Sequence, residues 1–138
     1  MATFNKFNSF VEAIAEKVHN LGSDTLKIML TNSAPSASNT KKSDLTEISA
    51  GNGYTAGGET VTISSSSQTG GTYSLTPSAG VSWTASVGSI GPFRYAVLYN
   101  DTATNKELIG WWDYGSAVTL ASTEQFAVSF PSTILTLA

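Results

Sequence analysis

Residues 81–99, VSWTASVGSIGPFRYAVLY, carry the pattern that decides the fold. Val81, Trp83, Ala85 and Val87 alternate with Ser82, Thr84 and Ser86. Successive strand side chains point to opposite faces, so this period of two predicts a half-buried strand over 81–87. Gly91 and Pro92 punctuate the chain. The alternation then resumes with Phe93, Tyr95, Val97 and Tyr99 on one face and Arg94, Ala96 and Leu98 on the other. Both faces of this second segment are largely apolar. A strand of that kind belongs in the middle of a sheet with cover on each side, and an N-terminal helix is expected to supply one of the covers.

Working outward, Leu26, Ile28 and Leu30 alternate with Lys27 and Met29 in a strand ending at Thr31. Further strand signals fall over 59–65, 72–76, 107–112, 117–120, 125–130 and 133–137. Turn-forming residues separate them: Gln68 to Gly71, Pro77 to Gly80, Asn100 to Thr102, Gly115 with Ser116, and Pro131 with Ser132. Helical spacing occurs once. Phe7, Phe10, Val11, Ile14, Val18 and Leu21 recur at intervals of three and four, which predicts a helix over 5–21, started by Thr3, Asn5 or Ser9 and ended by Gly22. Residues 32–44, NSAPSASNTKKSD, offer almost nothing to bury and read as a long surface loop or arm. Residues 43–48 fit either a short helical turn or a short strand. GNGYTAGG, residues 51–58, places four glycines in eight positions and reads as a tight turn passing close to another backbone. The expected architecture is mainly β: an antiparallel β-sandwich or jelly-roll-like barrel with one N-terminal amphipathic α-helix. One domain spans 1–138, with the helix over 5–21 and the sandwich over 24–138.

Composition excludes several function classes. Of 138 residues, 20 are Ser and 18 are Thr, whereas charged residues make up 12%, about half the usual share of roughly 25%. Hydroxyl-rich strands suit that balance better than solvated helices. The net charge is −3, and the seven basic residues form no stripe, so binding of nucleic acid is not expected. No apolar run reaches the roughly 20 residues of a membrane span, and the first residues do not read as a signal peptide. Without cysteine there is no disulfide, thiolate nucleophile or cysteine metal site.

Catalytic patterns are equally thin. His19 is the only histidine, and no GxSxG elbow surrounds a serine, so a Ser/His triad finds no support. Ten carboxylates are present; Asp113, beside Trp111 and Trp112, is the least ordinary, and a small hydrolase would need it paired with another acid such as Glu107. Residues 100–105 contain oxygen ligands but lack the glycine and distal glutamate of an EF-hand loop. GNGYTAGG lacks the lysine of a phosphate loop. The expectation is a non-enzymatic protein with no cofactor and no metal.

Taken together, DTLKIMLTNSAP from Asp24, SDLTEI from Ser43, GNGYTAGG from Gly51, YAVLYND from Tyr95 and LIGWWDYG from Leu108 resemble a group of small tailed-bacteriophage virion proteins, similar to head decoration or cement proteins. The resemblance runs over roughly residues 4–130. It implies a structural role on the capsid exterior, bridging major capsid subunits and stabilising the shell, as a homo-oligomer with trimers favoured by the three-fold positions of phage shells. It carries over no catalytic residues. Candidate contact residues are Phe4, Phe7 and Phe10; Trp111, Trp112 and Tyr114, because adjacent tryptophans in a strand face opposite ways and aromatic anchors dominate interfaces; and Lys41 and Lys42 on the 32–44 arm. The competing expectation is a module of a phage tail, baseplate or fibre, binding host glycan through Trp111, Trp112, Asp113 and Tyr114.

Overall fold

The computed structural model describes residues 2–138. The chain is mainly β, with antiparallel sheets and one short helix near the N-terminus. Its elements are β1 (Asn5–Lys6), α1 (Ser9–Ala15), β2 (Leu26–Thr31), β3 (Glu59–Val61), β4 (Ile63–Thr69), β5 (Thr72–Pro77), β6 (Val81–Thr84), β7 (Ile90–Asn100), β8 (Leu108–Leu120), β9 (Gln125–Val128) and β10 (Leu135–Leu137). They form a five-stranded sheet in the order β1-β8-β7-β2-β3, a three-stranded sheet β10-β5-β4 and a two-stranded sheet β6-β9.

β7 is central and covered on both faces. On one side, Leu26, Ile28, Leu30, Ala96, Leu98 and Ile109 join Leu75, Trp83, Leu135 and Phe10 in the main core, producing a sandwich-like stack. On the other, Phe7, Met29, Leu45, Val97, Tyr99 and Leu108 form a smaller cluster. Fully burying such side chains contributes about 1.5–3 kcal/mol each.

On β7 one residue departs from the expected face. Phe93 lies with Ala96 and Leu98 in the main core, away from Val97 and Tyr99. One register shift falls between Ile90 and Phe93, where Pro92 has no N–H for the ladder. Another falls between Phe93 and Tyr95, where the longer stretch from Asp113 to Val118 of β8 stands opposite and bulges out of register. β6 buries Val81 and Trp83 as its alternation predicts, but it ends at Thr84, and Val87 is exposed.

The helix is also shorter than expected, Ser9–Ala15 rather than 5–21. Phe7 and Phe10 were read as one stripe, yet they enter different clusters, because β1 pairs with the edge strand β8 just before the helix begins. None of the three residues proposed to start the helix caps it: the N-cap is Asn8, without a side-chain cap bond. Gly22 does not end it. Lys17 takes φ 66°, and the N–H groups of Val18 and Lys17 reach back to the carbonyls of Ala13 and Ile14 at 2.9 and 3.3 Å, a Schellman closure.

Residues 32–44 are not a free arm. The carbonyl of Ala37 accepts from the Asn8 N–H at 2.9 Å, that of Thr40 from Leu108 N–H at 3.0 Å, and Lys42 N–H donates to the Lys106 carbonyl at 3.0 Å. The segment is a backbone rail along the start of β8, ending in a 3₁₀ turn at Lys42–Asp44. The strand expected over 59–65 divides at Thr62, where the chain passes from one sheet to another. Gly115, read as a turn, lies inside β8 with φ 101°. GNGYTAGG is the close approach its glycines imply: a Cβ on Gly58 would stand 1.8 Å from the Ile28 carbonyl oxygen.

Candidate aromatic groove

β7 and β8 form a long hairpin that delivers Arg94, Ala96, Trp112 and Tyr114 to the rim of one groove. The connection is fixed by Asn100, whose side-chain oxygen accepts from the N–H groups of Thr102 and Ala103 at 2.9 and 3.2 Å. Cross-strand registry sets Ala96 beside Trp112 and Tyr95 beside Asp113. Phe4, just before β1, is laid over Gly110. A Cβ on Gly110 would stand 2.2 Å from the Phe4 ring, so the glycine is the residue that admits it. Phe126 from β9, with Phe130 and Ile134 beyond it, closes the other side. The groove has a volume of about 380 Å³.

Its walls are aromatic pairs. Phe4 and Trp112 have centroids 5.2 Å apart and Trp112 and Phe130 5.8 Å. Tyr114 meets Phe126 edge-on at 5.4 Å, and Phe126 meets Phe93 at 4.8 Å. These are the tilted and edge-to-face contacts that aromatic quadrupoles favour. Tyr114 keeps 58% of its surface exposed. Also on the lining, Arg94 donates through Nε and Nη2 to the two carboxylate oxygens of Asp113 at 2.8 and 2.9 Å. That guanidinium, with the Gly115 N–H, holds the Asp113 carboxyl below its usual range, and Asp113 in turn raises Arg94.

Two backbone edges border the groove. β1 pairs with β8 only at Gly110 and Trp111, so among the described residues the outer edge of β8 beyond Trp111 has no strand partner. Among the described residues the outer edge of β9 is likewise unpaired, because β6 is its one strand neighbour there.

Of the residues singled out from sequence, Phe4, Trp112 and Tyr114 come together here. Trp111 faces the opposite side of the sheet against Phe7, at 4.6 Å. Phe7 and Phe10 are 0% and 1% exposed and belong to the chain's own core. Lys42 is engaged internally, donating to Glu47 at 2.8 Å. Lys41 is exposed, away from the groove lining. Phe126, Phe130 and Arg94 were not singled out. The signal for the first two was the alternation Phe126, Val128, Phe130 in QFAVSF, which sets all three on one side.

Asp113 and Glu107 do not converge. They stand six residues apart along β8 and its approach, roughly 20 Å at about 3.3 Å per residue, where glycosidase carboxylates need about 5–9.5 Å. His19, expected at a boundary or the surface, is buried, and its Nδ1 lies 2.9 Å from the Asn100 amide. Among the described residues no group of three or more His, Cys, Asp or Glu side chains is placed to hold a metal ion. No helix among them is long and apolar enough to cross a membrane.

Comparison with known families, curated proteins and solved structures returns no match for this chain.

Proposed function

We propose that this chain is a structural protein of a tailed-bacteriophage virion that works without chemistry, seated on the capsid exterior and bridging major capsid subunits. The observation that carries the reading is the aromatic groove bordered by two unpaired strand edges. Such a surface suits adhesion: backbone edges offer hydrogen bonds to an added segment, and aromatic side chains supply the desolvated contact area. The other polar groups also favour contact over catalysis. Asp113 is occupied by Arg94 and Gly115, Lys42 and Tyr54 both bind Glu47, and Glu107 is remote from Asp113.

The resemblance in DTLKIMLTNSAP, GNGYTAGG and YAVLYND supports the virion assignment. A clamp of this kind binds the assembled shell and not its free subunits, so mass action stabilises the shell. Trimers match the three-fold positions of a phage lattice. The glycan-binding alternative on a tail or fibre has less support, because Trp111 faces away from Trp112 and Tyr114, and because the Asp113 oxygens are engaged.

The test mixes purified protein with expanded heads of the phage encoding it, prepared without this chain. Saturable binding and a raised rupture temperature are expected. Heads that neither bind the protein nor gain heat resistance overturn the reading, and immunogold labelling confined to tails transfers it to the alternative.

A further inference from the structure

Val87 sits in the loop between β6 and β7, 95% exposed, with φ 73°. Both facts are unfavourable for valine. In the left-handed region a β-branched side chain is crowded against the following carbonyl, whereas glycine or asparagine fits with little strain. At that exposure the apolar side chain also gains nothing from burial in its own chain. The residue thus strains the backbone and leaves apolar surface in water, with no return inside the fold.

The loop around it is braced. Ser86 N–H donates to the Asn52 carbonyl at 2.8 Å, Ala85 N–H to the Glu124 carbonyl at 2.9 Å, and Thr123 N–H to the Ala85 carbonyl at 2.7 Å. The Asn52 amide donates to the Ser89 carbonyl at 3.1 Å. Gly88 fits against Asn52 so closely that a Cβ would stand 2.7 Å from Nδ2. Turns from 51–54 and 121–124 therefore clamp both ends of the loop, which is how a strained conformation persists. The neighbours Asn52, Ser86, Gly88, Ser89 and Thr123 are uncharged, and the Glu124 carboxylate turns back to accept from Ala121 N–H at 2.6 Å.

We infer that Val87 is a preorganised apolar anchor, seated in an uncharged apolar socket on a neighbouring protein chain. This rests on the decoration reading, in which that chain is a major capsid subunit. A bridging protein needs two separate contact surfaces, and the Val87 tip shares no residue with the aromatic groove. The tip's neutrality matches an uncharged socket, so attachment through it is insensitive to salt.

The test compares cosedimentation of wild type, Val87→Ile, Val87→Asn and Val87→Gly with expanded heads lacking this protein, at low and high salt, alongside each variant's Tm. The Ile variant binds like wild type. The Asn and Gly variants bind about tenfold or more weakly, the scale of one lost buried valine, while their Tm holds or rises because the backbone is relieved. If Asn and Gly variants bind like wild type, the anchor is overturned and the decoration reading stands. Weak binding with a lowered Tm in both also overturns the anchor, since Val87 then serves folding. If wild type does not bind heads at all, the reading and the anchor fall together.

Discussion

The phenol of Tyr54 donates to the carboxylate of Glu47 at 2.7 Å, and bonds from these two residues and their neighbours reach stretches far apart in the chain. Glu47 also accepts from the Gly57 N–H at 2.6 Å and from Lys42 at 2.8 Å. Tyr54 accepts from the Leu30 N–H at 3.0 Å, beyond the point where β3 stops pairing with β2 at Ile28. The Tyr99 hydroxyl donates to the Gly57 carbonyl at 2.6 Å. SDLTEI, GNGYTAGG, DTLKIML and YAVLYND are thus the parts of one brace on the sheet that carries the groove. Burial pushes both phenols well above their ordinary pKa range, so they stay protonated donors.

Removing the Tyr54 hydroxyl leaves the Leu30 N–H without its partner and takes a donor from Glu47. Tyr54→Phe is expected to cost about 1–3 kcal/mol. Urea unfolding should show a lower midpoint with an unchanged m-value, and an unchanged midpoint would show that the brace contributes nothing.

Gly58 and Gly70 separate crowding from conformation. Both have positive φ, 81° and 59°, but a Cβ on Gly58 meets the Ile28 carbonyl at 1.8 Å while Gly70 has nothing within 4 Å. Gly70→Ala is expected to cost about 1–2 kcal/mol from the left-handed backbone alone. Gly58→Ala adds the overpacking term and costs about 2–5 kcal/mol. Denaturant midpoints of the two variants check the ranking.

How much of this was legible depended on range. Val81 and Trp83 alternate with serine and threonine, and pleat geometry translates that directly into a buried face. Gly115 marks a strand irregularity and not a turn: a glycine in sequence signals either, and the difference lies in β8 resuming its pairing with β7 at Val118. Phe7 and Phe10 share helical spacing, yet the sheet edge passes between them, and periodicity carries no information about which side of a sheet a chain has crossed. The groove unites residues from both ends of the chain, Phe4 and Phe130, so only half its wall could be found in WWDY. His19 stands between Val18 and Asn20 with nothing nearby in sequence to pair with it; its partner Asn100 is 81 positions away.

That histidine gives a pH dependence. Burial lowers its pKa from 6.5, opposed by the charges of Glu107 and Asp24. The Asn100 amide donates to Nδ1, which leaves the ring proton on Nε2, buried without a partner. The fold therefore holds neutral imidazole, while the unfolded chain takes up a proton below about pH 6.5. Because the unfolded state binds more protons there, stability falls as pH drops below 6.5 toward the folded pKa, by at most about 1.4 kcal/mol per pH unit. Urea midpoints from pH 7.5 to 5.5 should show this slope, and His19→Gln should flatten it. A slope that survives the substitution assigns the effect elsewhere.

Trp112 and Tyr114 share the groove but differ in what truncation should do. Trp112 is half-buried between Phe4 and Phe130, so Trp112→Ala is expected to destabilise by about 2–4 kcal/mol, somewhat below a fully buried aromatic. Tyr114 is 58% exposed and touches Phe126 at its edge, so Tyr114→Ala is expected to change stability by no more than about 1 kcal/mol. If the groove grips a capsid subunit, Tyr114→Ala should still weaken attachment to expanded heads about tenfold or more, as removal of an interface aromatic does. Thermal unfolding and head binding measured on the same preparations separate the two effects. A Tyr114 variant that binds as tightly as wild type would move the contact off this groove.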